Sequence, residues 1–253
     1  MGAARDLRGR RVLVTGASSG IGAAICRAVV ERGGTVAMLA RRKQRLEDLA
    51  KELGDRATPV CCDVTDLSSL EASVNEAADL LGGLDGVVAV AGRMMAGGIT
   101  SGSPERWREL IDLNLVGPLA TVRYATARFP ESGRRDLVVV GSTGALTPMP
   151  GVGIYAASKR GLEAAFDSLR LELAHQHVNV SLVMPGMFET EGLTLEGVII
   201  DGEVPVTDAP MFVEGAGPAP PESLAECITF IMSLPEGICV NELVVRPTGQ
   251  LVP

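Results

Sequence analysis

A rhythm constrains this chain more than any other feature. Short runs rich in Val, Leu, Ala and Ile alternate with longer stretches of helical period along the whole sequence. The apolar runs at 12–15, 35–40, 58–62, 86–90, 136–142, 179–184 and 242–246 read as strands. Helical patterns fill most of the gaps: up to 32, then 43–53, 67–81, 104–128, 154–175 and 221–233. The strand runs are almost continuously apolar, so both faces of their sheet must be covered, as in a parallel sheet flanked by helices. Right-handed crossovers then give a doubly wound α/β fold. No repeat or linker divides the sequence, so residues 1–253 are expected to form one domain. Aromatic residues make up only 3% of the chain, so the core must be aliphatic.

One segment departs from the rhythm. Residues 187–220 are rich in Gly, Pro and acidic side chains and follow the sixth strand run. In open α/β sheets ligands bind at the C-terminal ends of strands, so this insertion is expected to be a substrate lid. Its acidic residues, Glu189, Glu191 and Asp201, are expected to be solvated.

Charge narrows the range of partners. The formal net charge is −8 and the pI ≈ 4.9, which disfavours nucleic acid and anionic lipid. No stretch approaches the roughly 18 apolar residues of a membrane span. The first residues have no apolar run typical of a secretory signal, so a cytoplasmic location is expected. The cysteines Cys26, Cys61, Cys62, Cys227 and Cys239 lack C-x-x-C spacing, and are expected to be reduced and mostly buried. His175 and His177 close a helix without acidic or thiol partners at ligand spacing, so no metal site is expected.

The turn after the first strand carries chemistry. Thr15-Gly16-Ala17-Ser18-Ser19-Gly20-Ile21-Gly22 joins a strand to a helix. Glycines there permit a tight turn and close approach of a phosphate, and the helix N-terminus offers amide donors. A pyrophosphate, and hence a dinucleotide, is the expected ligand. An acidic residue at the end of the second strand would bind ribose hydroxyls. Here Arg41 and Arg42 follow Ala40, immediately before a helix start where cations are unfavourable. A 2′-phosphate would relieve that cost, so NADP(H) is expected in preference to NAD(H).

Farther on, Tyr155 and Lys159 stand one helical turn apart and share a face. A free phenol has a pKa of about 10, too high for acid–base work near neutrality. A neighbouring ammonium and a positive nicotinamide ring would lower it. Ser142, at the end of the fifth strand run, is placed to hold a carbonyl oxygen beside the Tyr155 hydroxyl. Met94, Met95, Met149, Met187 and Phe188 lie in loops expected over the cofactor, where they could line an adaptable apolar pocket or simply pack.

Together, the glycine turn, Ser142, Tyr155 and Lys159 resemble the short-chain dehydrogenase/reductase family, in its single-domain branch, from about residue 10 to 250. The resemblance implies a Rossmann-like fold with a seven-stranded parallel sheet and a bound NAD(P)(H). It implies Tyr155 as general acid/base, Ser142 as carbonyl anchor, Lys159 as ribose ligand and tuner of Tyr155, and Asn114 as holder of a proton-relay water. It also assigns Asp63 and Val64 to the adenine, Ala91 and Gly92 to the cofactor ribose, and Pro185, Gly186 and Thr190 to the nicotinamide amide. A homotetramer, or a dimer, paired through the helices near 104–128 and 154–175 is implied as well; Leu162, Ala165, Phe166 and Leu169 could serve that contact or the core.

One departure stands out. Where the family has Asn-Asn-Ala-Gly after the fourth strand, this chain has Ala89-Val90-Ala91-Gly92. The expected function is therefore an NADP(H)-dependent reduction of a ketone or aldehyde of a small molecule, or oxidation of the matching alcohol, with specialised metabolism as a candidate setting. Two alternatives stay open: a non-catalytic dinucleotide-binding sensor or scaffold, and an epimerase or dehydratase on the same scaffold.

Overall fold

The structure is a computed structural model and describes residues 6–147, 149–194, 197–204 and 210–252. In chain order the elements are β1 (Arg11–Thr15), α1 (Gly20–Glu31), β2 (Thr35–Ala40), α2 (Lys43–Leu53), β3 (Ala57–Cys61), α3 (Leu67–Leu81), β4 (Gly86–Ala89) and the short β5 (Met95–Ala96). Then come α4 (Pro104–Ile111), a π-helical turn (Asp112–Val116), α5 (Gly117–Thr126), β6 (Arg135–Val140), α6 (Gly153–Glu172), β7 (Val178–Pro185), the short β8 (Ile199–Ile200), α7 (Pro221–Met232) and β9 (Glu242–Val245).

Seven strands form one parallel sheet in the order β3-β2-β1-β4-β6-β7-β9. The winding reverses between β1 and β4, which opens a crevice at their C-terminal ends. Alternation along each strand feeds two cores. From β1, Val12 and Val14 join α1 and α7 on one face, through Ile25, Val29, Leu224 and Ile228. Leu13 joins α3 and α6 on the other, through Leu70, Val74, Leu162 and Phe166. Leu162 and Phe166 are thus core residues, and only Ala165 and Leu169 keep partial exposure.

Capping is local and readable. Ser103 accepts from the Arg106 amide ahead of Pro104, and Asp66 accepts from Ser69 to start α3. Gly82, with φ 73°, closes α3 in the left-handed region.

Four expectations need correction. Residues 104–128 form two helices and a π turn, because an extra residue is looped into the helix at 112–116. The β6 strand stops at Val140, after which Gly141 bonds Val183 and Ser142 opens a 3-10 turn. Met95, expected in a loop, lies instead in β5, which pairs with β8 and sets Met95 opposite Ile199. Only Cys26 and Cys62 are buried; Cys61 is exposed, Cys227 and Cys239 are intermediate, and all five are free thiols. Among the described residues no helix is long and apolar enough to cross a membrane, and no cluster of metal-ligating side chains occurs.

At the N-terminal ends of the strands the charges interlock. Arg10 donates to Asp85 and Asp136, each at 2.7 Å, and Arg134 donates to both oxygens of Asp136. Asn179 completes the shell of Asp136 at 3.0 Å.

Candidate active site

The glycine turn is compact for steric reasons. A Cβ on Gly16, where φ is 69°, would lie 3.0 Å from the Ala91 backbone. A Cβ on Gly22 would lie 2.3 Å from the Gly16 carbonyl. Helix α1 therefore begins tightly against the end of β4, with Ser18, Ser19, Gly20 and Ile21 at its entrance. Neither a side-chain cap nor a first-turn acid occupies that N-terminus, which leaves its amides and dipole available to an anion. These features fit a pyrophosphate.

The Thr15 hydroxyl accepts the amides of Val90 and Ala91 at 3.1 and 3.2 Å, bracing β1 against the loop after β4. Gly92 packs against α6 and the π turn, since a Cβ there would lie 3.0 Å from Asn114 Oδ1 and 3.4 Å from Lys159 Nζ.

At the crevice, Ser142 and Tyr155 line one cleft, and the Ser142 hydroxyl acts to lower the Tyr155 pKa. Ser142 Oγ also accepts from the Gly144 amide at 3.1 Å, which fixes its rotamer. Tyr155 sits in the first turn of α6, whose close entry depends on Gly153: a Cβ there would meet Ile99 at 2.8 Å. Lys159 is 6% exposed, and its ammonium donates to the Val140 carbonyl at 2.9 Å. Burial pulls its pKa down to about 8. Burial also raises Tyr155 above its ordinary value, opposed by the hydrogen bond with Ser142. The polypeptide alone thus moves the phenol in the direction opposite to the sequence expectation, because desolvation outweighs the favourable contacts.

Asn114 is fully buried in the π turn. Its side chain exchanges hydrogen bonds with the Arg93 backbone, 2.9 Å each way, and donates to Ser158 Oγ at 3.2 Å. Ser158 in turn donates to the Tyr155 carbonyl at 2.7 Å. Asn114 therefore stands behind the cleft wall, linked to the helix that carries Tyr155.

One cleft brings together Ile21, Gly92, Met94, Ser142, Met149, Tyr155, Lys159, Pro185, Gly186, Met187, Phe188 and Thr190. Met211, Val152 and Leu193 extend its apolar wall. Met95 is turned into the interior by β5 instead. Sequence reasoning missed Gln250, which is 5% exposed and accepts the Met187 amide at 2.8 Å. A Cβ on Gly186 would strike Gln250 Oε1 at 2.3 Å, so the glycine and the glutamine fix the turn together.

Arg41, Arg42, Asp63 and Val64 gather at the other end of the crevice. Val64 packs on Gly117, and its side chain is buried. Arg41 reaches Asp63 at 3.5 Å. Burial works against ionisation of Asp63, but the Thr65 amide and hydroxyl and Arg41 outweigh it and hold the carboxyl below the usual range. Arg42 donates to Ser18 Oγ at 3.0 Å, to Ser19 Oγ, and to Glu191 at 2.6 Å; Arg45 binds the other Glu191 oxygen. Hydrogen bonds from the two arginines hold Glu191 down to about 2. Two acidic lid residues expected to be solvated are therefore engaged: Glu191, and Asp201, which is buried and accepts from Trp107 Nε1 at 3.0 Å and the Ser103 amide at 2.9 Å.

Comparison with known proteins agrees with this geometry. The family model described as short chain dehydrogenase matches residues 10–196. A glycine betaine reductase of Emericella nidulans is 34% identical over 248 residues, covering 96% of this chain. The chain spans only 19% of that relative's length. An alcohol dehydrogenase from the archaeon Thermococcus sibiricus, solved with 5-hydroxy-NADP, superposes with a TM-score of 0.84 at 27% identity, covering 96% of this chain and 99% of that one. A 3-ketoacyl-(acyl-carrier-protein) reductase of Brucella melitensis, solved with NADH, superposes with a TM-score of 0.81 at 25% identity, covering 95% and 98%. The chain belongs to the short-chain dehydrogenase/reductase family. It is an oxidoreductase of that family, and these neighbours support a nicotinamide dinucleotide as its cofactor.

Proposed function

We propose that the protein reduces a ketone or aldehyde of a small molecule with NADPH, using Tyr155 as proton donor. The observation that carries this reading is the convergence of Ser142, Tyr155 and the buried ammonium of Lys159 on one cleft. A reduced dinucleotide, when bound, supplies a hydride to the carbonyl carbon. Ser142 holds the carbonyl oxygen, and Tyr155 gives that oxygen its proton, so the product is the alcohol. The same residues serve alcohol oxidation in reverse, and cellular cofactor ratios set the direction. Lys159 would hold the cofactor ribose, and its ammonium would help stabilise the Tyr155 phenolate. Asn114 backs this helix through Arg93 and Ser158 and, on the family resemblance, would hold a proton-relay water.

Gly16, Ser18, Ser19, Gly20 and Gly22 cradle the pyrophosphate, Arg42 takes the 2′-phosphate, and Asp63 meets the adenine. The methionine-rich wall formed by Met94, Met149, Met187 and Met211 suits a carbonyl carried on an uncharged, flexible apolar chain. Residues 187–220 act as the lid over it. The active form is a tetramer or dimer built on α4, α5 and α6, and sedimentation of a clean monomer would remove that element.

Tyr155→Phe is expected to lower NADPH oxidation across a carbonyl panel by about 10²–10⁴-fold. Calorimetric affinity for NADPH should be unchanged. Full turnover by the variant would overturn the mechanism, and NADPH binding without turnover in the parent protein would point to a sensor instead.

A further inference from the structure

Arg42 and Arg45 stand at the start of α2, where cations face an unfavourable helix dipole. The chain itself supplies the compensating anion. Glu191, the first residue after Thr190 in the lid, reaches across and bridges the two guanidinium groups, one carboxylate oxygen to each. Arg42 simultaneously holds Ser18 and Ser19 of the phosphate turn. All three guanidinium nitrogens of Arg42 are thus engaged by groups of the protein at the place where a 2′-phosphate would need them.

Resting on the NADPH reading above, we propose that Glu191 is a specificity-determining residue, a built-in competitor that occupies the Arg42–Arg45 pair and is displaced by the 2′-phosphate of NADP(H). Three observations support the exchange. The carboxylate and both arginines keep 43–50% of their side-chain surface exposed, so an incoming group has access. An exposed ion pair of this kind is weak and yields to a stronger anion. A phosphate monoester carries close to two charges and three acceptor oxygens against one charge and two oxygens, so it outcompetes the carboxylate at the same fork.

The displacement has a second consequence. Thr190 sits on the glycine turn, since a Cβ on Gly20 would lie 3.0 Å from its methyl, and Gly192 and Leu193 line the cleft at Tyr155. Glu191 therefore joins the adenine end of the crevice to the reacting end. Arrival of a 2′-phosphate frees the segment that borders the substrate pocket, whereas NAD(H) leaves it latched.

The test is calorimetric titration of NADP⁺ and NAD⁺ into the parent protein and into Glu191→Gln, repeated with adenosine 2′,5′-bisphosphate and AMP. Removing the competitor should tighten NADP⁺ and the bisphosphate about tenfold while NAD⁺ and AMP change less than twofold. Equal NADP⁺ affinity in the two proteins, or weaker NADP⁺ in the variant, overturns the competitor role while leaving the dinucleotide reading intact. Failure of both dinucleotides to bind the parent protein overturns the dinucleotide reading, and this proposal with it.

Discussion

At the N-terminal ends of the strands, Arg10 and Arg134 meet Asp136 with matched charge and full hydrogen bonding, and Asn179 closes the shell. At the C-terminal ends, Lys159 is equally buried but donates to a neutral carbonyl, and Tyr155 is held against its own ionisation. The same sheet thus satisfies charge at one edge and leaves it poised at the other. The first arrangement fixes the register of β1, β4 and β6. The second stores protonation states that a bound dinucleotide and substrate can use, at some expense in stability.

The contrast breaks hardest at Asp136, which is 1% exposed. Asp136→Ala strands Arg10 and Arg134 in a buried site, and loss of one partner from such a pair costs about 3–5 kcal/mol. For a domain of this size the melting temperature should fall on the order of 10 °C, read by calorimetry. Dinucleotide affinity of the folded fraction should stay within about twofold, because the network lies at the far edge from the glycine turn. A loss of affinity larger than the loss of stability explains would show that the two edges are not separable.

Lys159 tests the other edge with the opposite sign. Its folded pKa of about 8 lies below its ordinary value of 10.5, so the unfolded chain binds more protons between those limits. The penalty for burying the ammonium is therefore fully present below pH 8 and fades as pH rises toward 10.5. Lys159→Met removes the charge but leaves the Val140 carbonyl without its donor, so a net gain of about 1–2 kcal/mol is expected at pH 7. Melting curves at neutral and high pH should show that gain shrinking as pH rises, alongside lost turnover. A variant less stable than its parent at every pH would mean that burial of this ammonium is not a strain.

Much of this was legible in the sequence because it rests on local or periodic signals. The bounds of β2, α2 and α3 follow from apolar period and capping alone, and the doubly wound parallel sheet follows from alternating strands and helices. The Gly16–Gly22 turn and the Tyr155–Lys159 spacing are equally local. What escaped depends on contacts between distant segments. Nothing near Glu191 in sequence announces Arg42, 149 residues earlier, and nothing near Asp201 announces Trp107, 94 residues earlier. Composition made both carboxylates look like solvated lid charges. The cationic start of α2 was the available signal: the sequence marks a missing anion there, without saying whether a ligand or the chain supplies it. The π turn at Asn114 was hidden for a related reason, since one inserted residue barely disturbs a helical pattern.

Thr15 makes the smallest and most pointed test, because it serves the functional edge by a structural route. Its hydroxyl accepts two backbone amides of the loop after β4, and the residue is 1% exposed. Thr15→Val keeps the shape and leaves two amides without an acceptor, at a cost of about 1–2 kcal/mol. That is well below the loss expected at Asp136, because no charge is stranded. Unlike Asp136→Ala, it should also weaken dinucleotide binding, since Ala91 packs within 3.0 Å of the Cβ position of Gly16 and the loop shapes one wall of the phosphate turn. A stability loss with unchanged affinity would make Thr15 only a sheet brace. A joint loss would show that the functional edge depends on its uncharged hydrogen bonds as much as on its buried ammonium.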